Sequence, residues 1–260
     1  MLRNLRFLAI TDSALVQIIK IIYWESLMLR RIFALPLLLV LLACGGPYPY
    51  PPQYVAPSQV DARSIPVPDA PYSKKWNDEI DHIIALQKTI TPGTIEQIRV
   101  ETAVVPQMIA EPVLGKSFTP EAYPVTYEFL AKVGSDAWRI GDDVKEYWGT
   151  TRPWLMDSRV QLYAKPIYSK AYPSGHTVTN YVWAEILSEL FPSKQQQFYA
   201  RAAEVAEHRV IGGVHTPDDV VGGQKLAAVI AQEMRQEPEY QKALAAAKAE
   251  LKKNPVPRSH

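Results

Sequence analysis

Where proline falls decides what this chain can fold into. Eight of its 22 prolines lie between Pro47 and Pro71. A residue that lacks a backbone N–H and holds φ at about −65° interrupts any helix or central strand it enters. Residues 45–72 alternate proline with tyrosine and small residues. They predict an extended polyproline II stretch acting as a semi-rigid spacer; a Tyr/Pro-rich ligand for another protein is the alternative reading. A packed domain is expected only beyond it.

From there the apolar periods are helical. Trp76, Ile80, Ile83 and Ile84 recur at three and four, up to the break at Thr91-Pro92-Gly93. Residues 94–111 are apolar again, but Pro106 argues against one continuous helix. Thr119-Pro120-Glu121 reads as a helix start with proline at the first position and Pro124 in the first turn. That helix should run through Tyr127, Leu130, Val133, Ala137 and Ile140 toward Trp148. Further helices are expected over 177–190, 193–211 and 216–234. The last opens with Thr216 as N-cap, Pro217 at N1 and Asp219 at N3, an acidic capping box. No alternating strand and no repeat is visible. The expected fold is all-α, a single helical-bundle domain over 73–235, followed by a polar Ala/Lys/Glu-rich helical tail over 236–260.

Composition supports a core, with 47% hydrophobic and 21% charged residues. The 28 Lys and Arg against 27 Asp and Glu leave a formal charge of +1. Nothing then draws the chain as a whole to nucleic acid or an anionic bilayer, and no nucleic-acid partner is expected. Any anion must be gripped by a local cluster of cations. The single cysteine excludes an intrachain disulfide framework and a cysteine-based zinc site. No His, Asp or Glu cluster elsewhere has metal-ligand spacing.

The N-terminal region reads as an address. Met28-Leu29-Arg30-Arg31 precedes an uncharged apolar run over 32–42 and then Ala43-Cys44-Gly45-Gly46, the layout of a secretory signal. The run is shorter than the roughly 20 residues a bilayer span needs. Leu41-Leu42-Ala43-Cys44 resembles the lipobox of bacterial lipoproteins. That resemblance implies a signal region over 1–43, cleavage before Cys44 and a lipidated Cys44 at the head of the 44–72 tether. It also implies a product exported to the periplasmic face of a bacterial membrane, with Gly45 favouring the outer one. Met28 is the expected start, since residues 1–27 precede the signal.

Three short segments carry the chemistry. Lys145 and Arg152-Pro153 stand seven apart, two helical turns, which puts both cations on one face about 10 Å apart. In Tyr172-Pro173-Ser174-Gly175-His176-Thr177, Ser174 can cap a helix whose free N–H groups and positive dipole end suit an anion. Gly175 lets that anion approach without a Cβ in the way. In the third segment Arg209 is followed by Gly212-Gly213, His215 and Asp219. Asp219 can reach back to the His215 ring, fix its tautomer and leave the other nitrogen free to attack. Each segment alone is compatible with an ordinary helix end.

In this order, Lys-x6-Arg-Pro, Pro-Ser-Gly-His and Arg-x5-His-x3-Asp resemble the tripartite signature of the type 2 phosphatidic acid phosphatase superfamily, which also holds the vanadium haloperoxidases. Tyr172 to Thr177 and Arg209-Val210-Ile211-Gly212-Gly213 resemble the bacterial class A non-specific acid phosphatases, and the likeness covers 119–234. It implies hydrolysis of small phosphomonoesters without a metal. His215 would be the nucleophile, forming a phosphohistidine, and Asp219 would orient it. His176 would protonate the leaving alkoxide and then activate water. Lys145, Arg152, Ser174, Gly175 and Arg209 would bind the phosphate, and vanadate would act as an inhibitor that mimics it. Alternatives are a lipid phosphate or isoprenoid diphosphate substrate, or a vanadate-loaded haloperoxidase. The residue before Arg209 is usually Ser in that class and here is His208, so no phosphate contact is expected from it. Trp148, Trp154 and Tyr172 are candidates to line a leaving-group pocket.

Overall fold

The computed structural model describes residues 50–257. The signal over 28–43 and the lipobox Cys44 lie outside the described residues. Among those described, the elements are helices and turns, with no strand. They are α1 (Lys74–Gln87), α2 (Pro92–Val100), α3 (Gln107–Leu114), α4 (Pro124–Trp148), α5 (Pro153–Met156), α6 (Gly175–Leu190), α7 (Gln195–Ile211), α8 (Pro217–Gln236) and α9 (Pro238–Lys253).

Local chemistry sets most of these boundaries. Ser73 caps α1 by accepting from Trp76 N, and Thr91 caps α2 by accepting from Thr94 N. The start of α4 departs from expectation. Thr119 closes a turn instead, its carbonyl accepting from Tyr123 N at 3.0 Å, and the helix opens at Pro124. The next two N–H groups, of Val125 and Thr126, donate to the Glu250 carboxylate of α9 at 3.0 and 2.8 Å. An acid at a helix N-terminus satisfies orphan donors and opposes the dipole; here it comes from 125 residues away.

Helix α6 lies at the centre, packed on α4, α7 and α8. It buries Val178, Val182, Trp183, Ala184, Ile186 and Leu187. Trp183 Nε1 donates to Leu130 O at 2.8 Å, and its ring fills the space above Gly134, where an added Cβ would lie 2.4 Å away. Helix α9 is not a polar tail. Tyr240, Leu244 and Ala247 are buried in the main core, so the packed domain extends through it.

The spacer expected over 45–72 is also corrected, because residues 50–71 form a strap across the domain. Val55, Val60 and Ile65 are buried, and Tyr54 meets Phe129 and Tyr240 edge-on. The Asp136 carboxylate of α4 accepts from the N–H groups of Gln53, Tyr54 and Val55 at 2.8 to 3.2 Å. The prolines prevent a helix. The apolar residues between them are buried all the same, and one buried acid supplies the acceptor that three backbone N–H groups need.

The strap and the core together place the chemistry-bearing turns. Tyr172 is fully buried, and its hydroxyl donates to Pro66 O on the strap. Gly222 and Gly223 of α8 let the 172–177 turn approach closely. A Cβ at Gly222 would lie 2.3 Å from the Tyr172 ring, and one at Gly223 would lie 2.8 Å from Thr177 Cβ.

Candidate active site

Lys145 and Arg152 do not share a helix face. Helix α4 ends at Gly149, which adopts the left-handed conformation at φ 65°, and Arg152 is the N-cap of α5. The turn nonetheless buries both, at 3% and 2% exposure. Lys145 Nζ donates to Ala171 O at 2.8 Å and to Pro173 O. Burial, then the charge of Arg152, pushes its ammonium below the ordinary lysine range. Arg152 donates to Ser169 O and Oγ, to Val214 O and to the His215 ring.

The 174–177 turn forms as its sequence suggests. Ser174 Oγ accepts from Thr177 N, and Ser174 N donates to Asp219 O at 2.8 Å, which ties the start of α6 to that of α8. An added Cβ at Gly175 would stand 3.5 Å from Lys145 Cε, so the lysine flanks this helix N-terminus. His176 is buried edge-on to Trp138. Its Nε2 lies 3.3 Å from Thr102 O. A carbonyl only accepts, so that nitrogen carries the hydrogen.

His215 is 1% exposed. Its Nδ1 lies 3.0 Å from Asp219 Oδ2, and its Nε2 lies 2.7 Å from Arg152 Nη1. An ionised carboxylate only accepts, which places the hydrogen on Nδ1, facing Asp219, and the lone pair on Nε2; Arg152 Nη1 is also 3.4 Å from Nδ1, so the guanidinium lies over the ring. The capping box forms as read: Asp219 Oδ2 accepts from Thr216 N, and Thr216 Oγ1 accepts from Asp219 N. One carboxylate therefore caps α8 and orients the ring.

Arg209 is fully buried, and none of its three guanidinium nitrogens has a hydrogen-bond partner among the described residues. Burial pushes it down to about 10, so it remains charged at neutral pH. Both histidines sit within reach of this charge. Burial drives His215 well below the usual histidine range, followed by Arg152, Lys145 and Arg209. Burial also drives His176 down, followed by Arg209. The seven residues Lys145, Arg152, Ser174, His176, Arg209, His215 and Asp219 thus form one buried cluster with three cations in it.

The aromatic candidates do not line it as expected. Trp148 Nε1 donates to Ala62 O and its ring meets Tyr172, so both hold the strap, while Trp154 packs against Tyr168. Glu101, Thr102 and Trp138, which touch the site or its supports, carry no local sequence signal.

Residues 129–242 match the PAP2 superfamily. Among curated proteins, the non-specific acid phosphatase of Salmonella typhimurium is 31% identical over 148 residues, 55% of this chain and 59% of that protein. Its counterpart from Salmonella typhi is 31% identical over 150 residues, with the same shares. The non-specific acid phosphatase of Providencia stuartii is 37% identical over 83 residues, 32% of this chain and 34% of that protein. The chain thus spans 59% of the length of the two Salmonella relatives it matches.

Beside the site stands an acidic cluster that sequence spacing did not suggest. Carboxylate oxygens of Asp69, Glu79 and Asp218 lie within 4.8 Å of one another, with Lys75 Nζ 2.9 Å from Asp69 and 3.7 Å from Asp218. Burial, then the charges of Asp218 and Asp69, push Glu79 up to about 7 from 4.5. A carboxyl that binds its proton more tightly folded than unfolded loses stability as pH rises through that interval. Glu79→Gln is therefore expected to raise Tm at pH 8 and leave it nearly unchanged at pH 5; thermal unfolding at the two values checks this.

Proposed function

We propose that this chain, which carries a PAP2 superfamily domain, is a metal-independent acid phosphatase that hydrolyses phosphomonoesters through a phosphohistidine at His215. The observation that carries the reading is Arg209. A buried guanidinium with no partner costs several kcal/mol, and a tetrahedral oxyanion is the ligand its planar fork fits best. The relatives, named as non-specific acid phosphatases, point the same way.

In this scheme Arg209, Arg152 and Lys145, with Ser174 Oγ and the Gly175 N–H, take the non-bridging oxygens of the phosphoryl group. Arg152, already over the His215 ring, holds the phosphate beside the Nε2 lone pair. Nε2 attacks phosphorus, the bond to the leaving oxygen breaks, and His176 gives that oxygen a proton. A water then attacks phosphorus, His176 takes its proton, the P–N bond breaks and phosphate leaves. The cations that lower the basicity of His176 are neutralised by the substrate dianion, so binding itself raises the basicity of the acid that the first step needs. Asp219 keeps Nδ1–H engaged as His215 acquires positive charge. Three protein cations do the electrostatic work that a metal ion does elsewhere.

Small phosphomonoesters are the proposed substrates, and vanadate the proposed inhibitor. Export follows from the 28–43 signal, with Cys44 as the lipid anchor and the outer membrane as destination. No helix among the described residues is long and apolar enough to cross a membrane. Between Cys44 and the strap only residues 45–49 intervene, which favours a lipid phosphate as the second reading. Turnover of p-nitrophenyl phosphate against dispersed lipid phosphates separates the two.

Arg209→Met is expected to raise Tm, by about 1–4 kcal/mol of stability, while lowering kcat/KM by about 10² to 10³ or more. Millimolar inorganic phosphate should raise the Tm of the wild type and not that of the variant. A variant that is less stable and still turns over contradicts the reading. Activity is also expected to survive EDTA dialysis; loss restored by a divalent ion contradicts the metal-independent scheme.

A further inference from the structure

At position 208 a histidine replaces the serine that the likeness leads one to expect, and it makes a different bond. His208 Nδ1 lies 2.7 Å from Glu101 Oε2, while Arg201 Nη2 lies 2.6 Å from Glu101 Oε1. Arg201 and His208 stand seven apart on α7, two turns along one face. Glu101 is the C-cap of α2. Arg201 is itself held, donating to Met108 O at 3.0 Å and to Glu204 at 2.7 Å. Glu101 and His208 are 3% and 7% exposed. Burial alone would push the Glu101 carboxyl up; the bonds to His208 and Arg201 outweigh it and hold it below the ordinary range.

Buried ion pairs of this kind add little net stability and are best attested where they fix a position. The position here is that of the next residue. Thr102 O is the acceptor of His176 Nε2–H. Within its own helix end, Glu101 N donates to Gln97 O at 2.9 Å, but the bonds of Thr102 itself are long, N to Arg99 O at 3.3 Å and Oγ1 to Ile98 O at 3.5 Å. The two-pronged clamp on Glu101 is the short, charged contact that anchors this turn to α7.

We propose that Glu101, clamped by His208 and Arg201, is a positioning residue for His176: it fixes the Thr102 carbonyl that takes the Nε2–H, and so sets the ring angle from which the proton reaches the leaving group. The inference rests on the phosphatase reading, since only a proton transfer makes that angle matter to rate.

The test is the dependence on the leaving group. p-Nitrophenolate leaves with little help, whereas the alkoxide of glycerol phosphate needs its proton. The ratio of kcat/KM for glycerol phosphate over p-nitrophenyl phosphate is expected to fall about tenfold in Glu101→Gln and in His208→Ala, a fraction of the 10²–10⁴ that an aligned general acid contributes. His208→Asn, whose amide N–H stands close to the Nδ1 position, should restore the ratio to within about twofold of wild type. If Glu101→Gln does not fold, the Ala and Asn pair at 208 carries the test. Folded variants whose ratio stays at the wild-type value, whatever their absolute rates, overturn the positioning role alone. Wild-type protein that turns over neither ester overturns the phosphatase reading and this inference with it.

Discussion

Holding Lys145, Arg152 and Arg209 together out of water is the constraint that the rest of the structure answers. Like charges at short range in a poorly polarisable interior repel, and each also loses its hydration. The fold meets this unevenly. Carbonyls of Ala171 and Pro173 take the lysine, and Ser169, Val214 and His215 take Arg152. Arg209 is left with nothing among the described residues. The strap, the Gly222-Gly223 contact and the central placement of α6 pack the 172–177 turn against the start of α8 beside these cations.

The same charges set the state of the two imidazoles. Each ring has one nitrogen tied to an acceptor, Asp219 for His215 and Thr102 O for His176. Burial, then the surrounding cations, drives both well below the usual histidine range. The rings differ in what fixes them. An acid inside the capping box holds His215, whereas a backbone carbonyl anchored at a distance by Glu101 holds His176. In the proposed mechanism this pairs the nucleophile, which must become cationic, with a carboxylate, and the group that must give and take a proton with a neutral dipole.

Much of this was legible in the sequence because it is local. Ser174 as N-cap, the Thr216–Asp219 box and the His215–Asp219 bond span five residues at most, and their spacing fixes their geometry. Lys145 and Arg152 converge for a different reason than their spacing suggests, since Gly149 breaks the helix between them. Long-range contacts were not readable. Glu250 caps α4 from the far end of the chain, Glu101 meets His208 across 107 positions, and Asp69, Glu79 and Asp218 come from three separate segments. The strap failed for a subtler reason. Its prolines point to a spacer, whereas Val55, Val60 and Ile65, apolar residues spaced through a proline-rich stretch, are what a packed, non-helical segment requires.

Capture of the covalent intermediate tests the central claim most directly. With p-nitrophenyl phosphate, an alkaline quench and mapping of the modified peptide by mass spectrometry, His176→Ala is expected to accumulate phosphate on the ring at 215, and His215→Ala to carry none. Covalent phosphate on the His215→Ala protein, or on any other side chain of the cluster, would contradict the account.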